Sequence, residues 1–237
     1  MNSPTVIIFG GSSGIGEAAA VRLSKNGLRV IIVGRDKGRL EAARSRIAPA
    51  VEIAGVDATD KAAVGDFFAH AGKFKHLVLS FSGGKGAGPF KELNIDDVRS
   101  GMERKAFAQF TVAQSALGNL EDGGSITFIS AGSARVALPG TAGLAAINGA
   151  IEALVPTLAK ELAPTRVNAV SPGVIDTPWW NAMPKEVREN MFKQTADRLP
   201  VRRVGRPDDV AQAIAFLIEN TFVTGAILEV DGGARLV

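Results

Sequence analysis

Residues Gly10-Gly11-Ser12-Ser13-Gly14-Ile15-Gly16 follow the apolar run Thr5–Phe9 and open a helix-period segment over Gly14–Lys25. Strand, glycine turn and helix in that order decide the fold. Glycine takes positive φ without strain, which a tight turn needs. Lacking Cβ, it also lets a pyrophosphate approach the backbone. The helix start then offers free N–H groups and a partial positive charge to that anion. Glycine spacing by itself is a weak signal; its place between a first strand and a first helix gives it meaning. Gly10, Ser12, Ser13, Gly14, Ile15 and Gly16 are therefore candidate phosphate-cradle residues.

Working outward, β-branched runs alternate with helix-period segments along the whole chain. Strands are expected at Arg29–Val33, Val51–Ala54, His76–Leu79, Ser125–Ile129, Arg166–Val170 and Ile227–Val230. Helices are expected at Lys37–Ile47, Lys61–Ala71, Asp96–Asn119, Gly140–Leu162 and Pro207–Ile218. Apolar strands joined by crossover helices predict an α/β fold with a doubly wound parallel sheet covered on both faces. No repeat, low-complexity tract or linker interrupts the pattern, so residues 1–237 read as one domain. Two segments break the rhythm: the glycine-rich stretch Ser80–Phe90, and Thr177–Leu199, which holds Trp179, Trp180 and Met183. Loops this long in a compact domain are often functional. The second reads as an apolar lid over a substrate, with an oligomer contact as the alternative.

Composition narrows the chemistry. Of 237 residues, 46% are apolar and 22% charged, which suits a packed core and not a disordered chain. The absence of cysteine removes disulfides, thiol catalysis, iron–sulfur clusters and thiolate zinc sites. The two histidines, His70 and His76, make a multi-histidine metal site improbable, and both read as structural. The net charge of +3 comes without a Lys/Arg run, so no nucleic-acid partner is expected. The apolar runs are strand-sized, short of the ~20 residues of a membrane span. The N-terminus lacks a signal-peptide shape, which predicts a cytoplasmic protein. Tyrosine is absent altogether.

The end of the second strand reads Val33-Gly34-Arg35-Asp36. A dinucleotide site that prefers NAD places an acid here on the ribose hydroxyls. The planar fork of Arg35 suits a 2′-phosphate instead, which points to NADP(H). Asp36, one position later, suits the N-cap of the next helix.

With these pieces in place, the chain resembles the short-chain dehydrogenase/reductase family over its whole length. The resemblance rests on the Gly10–Gly16 turn, Val56-Asp57, Arg166-Val167-Asn168-Ala169-Val170-Ser171-Pro172-Gly173, Ile175-Asp176-Thr177, Thr224-Gly225 and Val230-Asp231-Gly232-Gly233. It implies a single Rossmann-type sheet of about seven strands, and homodimers or homotetramers built on the two long helices. It further implies that Asp57 and Ala58 line an adenine, that Ile175 and Thr177 hold a nicotinamide carboxamide, and that Pro172 and Gly173 lie at the cofactor. The family's Asn-Asn-Ala-Gly after strand four stands here as Ser80-Phe81-Ser82-Gly83, which places Ser82 and Gly83 at the cofactor.

The family's four catalytic positions all differ. Counting without gaps, its tyrosine falls on Leu144, its lysine on Asn148, its serine on Ala131 and its asparagine on Lys105. A register error cannot restore a tyrosine that the chain lacks. Hydride reduction of a carbonyl leaves an alkoxide that needs a proton, and a positioned acid contributes roughly 10²–10⁴-fold. Leu144 offers none. The lysine and asparagine positions have exchanged residues, and Lys105 shares a helical row with Val98 and Val112, so it points near a buried stripe. A lysine there needs partners for its ammonium. Lys105, Asn148 and Ser130 are accordingly the candidate catalytic residues: Lys105 is expected to reach the nicotinamide ribose, with Asn148 completing its hydrogen bonds, or to serve as the proton donor through a pKa lowered by desolvation. Ser133 is a weaker candidate. Arg135 reads as a surface arginine or an anion ligand.

The leading functional reading is an NADP(H)-dependent oxidoreductase with a non-standard proton donor. Its substrate is expected to be a small, fairly apolar carbonyl, enone or imine. The alternatives are a catalytically inactive NADP(H)-binding sensor or regulatory protein, and non-redox chemistry on the same fold.

Overall fold

A computed structural model of the chain describes residues 3–48 and 50–237; Met1, Asn2 and Pro49 of the expected 1–237 span lie outside the described residues. The chain forms one seven-stranded sheet in the order β3-β2-β1-β4-β5-β6-β7. The strands are β1 (Thr5–Phe9), β2 (Arg29–Gly34), β3 (Glu52–Gly55), β4 (Phe74–Leu79), β5 (Leu120–Ile129), β6 (Arg166–Pro172) and β7 (Ile227–Val230). Every pairing is parallel. The main helices are α1 (Gly14–Lys25), α2 (Lys37–Ile47), α3 (Lys61–His70), α4 (Ile95–Gly101), α5 (Ala108–Ala116), α6 (Ala142–Glu161), α7 (Lys185–Arg198) and α8 (Pro207–Glu219).

The period-two alternation of β1 splits the core into two layers. Val6 and Ile8 join Ala19, Leu23, Leu40 and Ile214 under α1, α2 and α8. Ile7 and Phe9 join Phe68, Val112, Phe128 and Ile151 under α3, α5 and α6. All five β1 residues are buried, as a central strand with helices on both faces requires. Strand order reverses between β1 and β4, and a crevice opens there outside the carboxyl ends of the strands.

Three expectations change. The single helix expected over Asp96–Asn119 is α4, a π-helical stretch at Met102–Phe107, α5 and a 3₁₀ turn at Leu117–Asn119. In the π stretch the Ala108 amide reaches back to the Glu103 carbonyl, five residues earlier. The expected lid Thr177–Leu199 is not one open loop. It contains a 3₁₀ turn, Pro178–Ala182, and α7, which buries no residue. β5 starts at Leu120, before the Ser125 expected from the apolar run. Pro156 sits inside α6 without ending it. By length and composition α6 alone meets the criteria for a membrane span among the described residues; Ile147, Ile151 and Val155 bury its inner face in the second core layer.

Candidate active site

A cavity of about 700 Å³ opens over the carboxyl ends of the strands. Its floor begins at the glycine turn. Gly10 has φ +82° and Gly14 φ +56°, conformations that favour glycine. A Cβ on Gly10 would run into the Ser80 carbonyl, and one on Gly16 into the Gly10 carbonyl. Gly16 itself does not line the cavity, which corrects its assignment as a direct contact; it lets α1 pack onto the turn.

The N-terminus of α1 tests whether a dinucleotide fits. Ser13 at its N-cap makes no side-chain capping bond, and Ser13, Gly14 and Ile15 line the cavity. In contrast, Asp36, Asp60 and Asn94 cap α2, α3 and α4 with their own side chains. The first-turn amides of α1 are left for an anion, so the cradle fits a pyrophosphate.

At the end of β2, Arg35 lines the cavity. The Asp36 carboxylate accepts from the Arg39 amide at 3.0 Å, as an N-cap. Asp57 lines the same region. Partial burial pushes its carboxyl up, but the Thr59 amide and hydroxyl donate to it and Arg35 and Arg104 lie nearby, so its pKa falls below the usual value. Ser82, Gly83, Pro172, Gly173, Ile175 and Thr177 also line the cavity.

The opposite end is built by α4, the π-helical stretch and α6. They approach closely because of two glycines. A Cβ on Gly101 would lie 2.5 Å from Ile147 Cδ1, and one on Gly143 would lie 2.9 Å from Val98 Cγ2. Across this contact Lys105 Nζ donates to Asn148 Oδ1 at 2.7 Å and to the Ser130 carbonyl at 3.0 Å. Asn148 Nδ2 in turn donates to Ser133 Oγ at 3.1 Å and to the Leu144 carbonyl at 2.8 Å. Lys105 is 7% exposed and Asn148 3%, yet both line the cavity, beside Leu144, Ile147 and Ala131. Burial pushes the Lys105 ammonium down to about 8, with Glu152 acting in the opposite direction.

Ser130 lines the cavity, but its hydroxyl donates to Glu152 Oε1 at 2.7 Å. That corrects its place as a substrate hydroxyl: its carbonyl serves Lys105 and its side chain serves Glu152. Sequence reasoning missed Glu152, although it lies one helical turn beyond Asn148 on α6. Ser171 Oγ and Arg135 Nε also donate to this carboxylate, at 2.8 and 2.7 Å. Arg135 is exposed, as a surface arginine, and is not an open anion ligand; it pairs with Glu152 and Glu229. Gln109 was missed too. Its amide donates to the Phe81 and Ile129 carbonyls, both at 3.2 Å, and ties the ends of β4 and β5 together.

Trp179 and Trp180 line the cavity with their rings 4.5 Å apart, edge to face. Trp180 Nε1 donates to the Ile175 carbonyl at 2.8 Å. Met183 does not line the cavity, against its expected place in the lid. His76, buried on β4, bonds Ser125 Oγ at 2.8 Å; burial, Arg166 and Lys75 push its pKa down to about 4. No cluster of metal-ligating side chains occurs among the described residues.

The family model described as enoyl-(acyl carrier protein) reductase matches residues 10–235. The chain belongs to the short-chain dehydrogenase/reductase family. It is 31% identical to the short-chain dehydrogenase/reductase ATR9 of Stachybotrys chlorohalonatus, over 98% of this chain and 97% of that protein. It is 32% identical to a rat 3-oxoacyl-[acyl-carrier-protein] reductase, over 97% of each. A crystal structure of a small-chain dehydrogenase in complex with NADPH superimposes with a TM-score of 0.87 at 33% identity, covering 99% of this chain and 100% of that one. The MalC reductase/Diels-Alderase of Malbranchea aurantiaca superimposes with a TM-score of 0.90 at 26% identity, covering 100% of this chain and 97% of that one. With relatives named as reductases and dehydrogenases, this short-chain dehydrogenase/reductase is an oxidoreductase.

Proposed function

We propose that the protein is an NADP(H)-dependent reductase of small, fairly apolar carbonyl, enone or imine substrates, with Lys105 as proton donor. The observation that carries this reading is the Lys105 ammonium, held at the cavity by Asn148 and Ser130 where the family's tyrosine and lysine have no counterpart. Gly10, Ser12, Ser13, Gly14 and Ile15 cradle the pyrophosphate, and Arg35 supplies the fork for a 2′-phosphate. Bound there, the nicotinamide supplies the hydride. The similar small-chain dehydrogenase crystallised in complex with NADPH supports this choice of cofactor.

The chain's own residues then handle the proton. An ammonium with a pKa near 8 is close enough to neutrality to give up a proton readily, and it stays protonated through most of the physiological range. Asn148 Oδ1 and the Ser130 carbonyl use two of its three N–H groups, leaving one for the substrate oxygen or carbon that takes the proton. Leu144, Ile147 and Val136 contribute apolar lining to the cavity, as do the two tryptophans. The test is a fluorescence titration with NADPH and NADH, followed by a screen of carbonyls, enones and imines for NADPH oxidation. NADPH binding with at least ~1.4 kcal/mol preference over NADH, and oxidation that Lys105→Met slows roughly 10²–10⁴-fold, is expected. Failure of both cofactors to bind overturns the reading.

A further inference from the structure

Lys105 is a buried primary amine whose two hydrogen-bond partners are neutral, Asn148 Oδ1 and the Ser130 carbonyl. The nearby carboxylate, Glu152 on α6, is engaged by Ser130, Ser171 and Arg135. The other charged groups of the cavity lining near Lys105 in the chain or fold are Arg104, its chain neighbour, which lies near Asp57, and Lys85, which pairs with Asp97. A neutral amine has two N–H bonds and one lone pair. When two acceptors hold both N–H groups, the lone pair is left for the remaining tetrahedral direction, and Lys105 borders the cavity. The cavity lining includes the apolar Leu144, Ile147 and Ala131 together with Ser133, which Asn148 bonds. A desolvated lysine in an apolar pocket is the usual setting for an amine nucleophile.

The geometry points to Lys105 Nζ as a nucleophile that condenses with an aldehyde or ketone in the cavity to form an iminium. The inference rests on reading the cavity as a carbonyl site. In the step, the Nζ lone pair forms a C–N bond and the C=O bond breaks. The carbonyl oxygen leaves as water with one proton from Nζ and one from solvent. The second Nζ proton stays on the iminium and donates to Asn148 Oδ1. No electron donor or acceptor is needed. The iminium withdraws electrons from its neighbouring carbons, so an α-proton or a conjugated alkene becomes reactive.

The experiment incubates the full-length protein with hexanal and sodium cyanoborohydride across pH 6–10 and maps alkylated peptides by mass spectrometry. At pH 7 the neutral fraction of an amine with a pKa near 8 exceeds that of an ordinary lysine by on the order of a hundredfold. The expected result is alkylation concentrated on the Lys105 peptide, with a midpoint near pH 8. The chain's α-amino group also has a low pKa, but it maps to a different peptide. Lys105→Arg keeps the charge and should lose this adduct. Asn148→Leu should shift the midpoint. Label spread evenly over the lysines, or a Lys105 peptide no more labelled than surface ones, overturns the inference. NADPH binding without a Lys105 adduct leaves the reductase reading intact and removes this one. An adduct without NADPH binding does the reverse.

Discussion

Lys105 Nζ and Asn148 Oδ1 meet at 2.7 Å across the contact between the π-helical stretch and α6. Both residues line the cavity. The expected consequences concern charge, cofactor choice and the stability of this junction.

Lys105→Met should lower kcat/KM for NADPH-dependent reduction roughly 10²–10⁴-fold, the contribution of a positioned acid. In the wild type the protonated donor is lost as pH rises through about 8, so the rate of reduction should fall on that alkaline limb. A steady-state pH profile checks both.

Stability should move in the opposite sense. The folded-state pKa lies below the unfolded one, so below pH 8 the folded state carries the full cost of a buried ammonium, roughly 3 kcal/mol. Between pH 8 and 10.5 the unfolded chain binds more protons, and that cost is relieved. Urea denaturation should therefore find Lys105→Met gaining stability over wild type at pH 7 and losing that advantage by about pH 10.5.

Glu152→Gln keeps the shape but weakens the acceptor for Ser130, Ser171 and Arg135. Chemical denaturation should register a loss of roughly 1–3 kcal/mol. Because Glu152 raises the Lys105 pKa, the alkaline limb of the rate profile should also move to lower pH. A purely structural role would leave that limb in place.

Arg35→Ala should weaken NADPH binding about tenfold to a hundredfold, the worth of a charge-assisted hydrogen bond, and leave NADH nearly unchanged. Isothermal titration with both cofactors separates the two effects.

Trp179 and Trp180 are the chain's two tryptophans, and both border the cavity. Cofactor or substrate binding should change tryptophan emission, and Trp180→Phe should remove much of that signal. The same substitution deletes the bond to the Ile175 carbonyl, worth roughly 1 kcal/mol, so cofactor Kd should change by less than about tenfold.

Much of this architecture is local in origin. The strand Thr5–Phe9, the positive-φ glycines of the turn and the Asp36 cap depend on residues a few positions apart, and composition alone excludes a tyrosine acid. Lys105, expected near a buried stripe, is buried, as is Val112, while Val98 is half-buried. The π-helical stretch left no mark in the periodicity; α7 shows only the short row Val187/Met191/Thr195, among residues that are mostly polar and none of them buried. Glu152 was legible only as a position one turn past Asn148. Its partners come from β5, β6 and the turn after β5, which only the closed fold brings together.

The sequence by itself determined a parallel Rossmann-type sheet, a glycine turn ahead of α1 and the absence of tyrosine. Each follows from short-range periodicity, glycine stereochemistry or a count. Only the tertiary structure decided where the Lys105 ammonium ends. Its position depends on Gly101 and Gly143 letting α4 and α6 close to side-chain contact, and on β5 delivering the Ser130 carbonyl to the same point. Those contacts join segments far apart in the chain, and no local pattern encodes the distance between them.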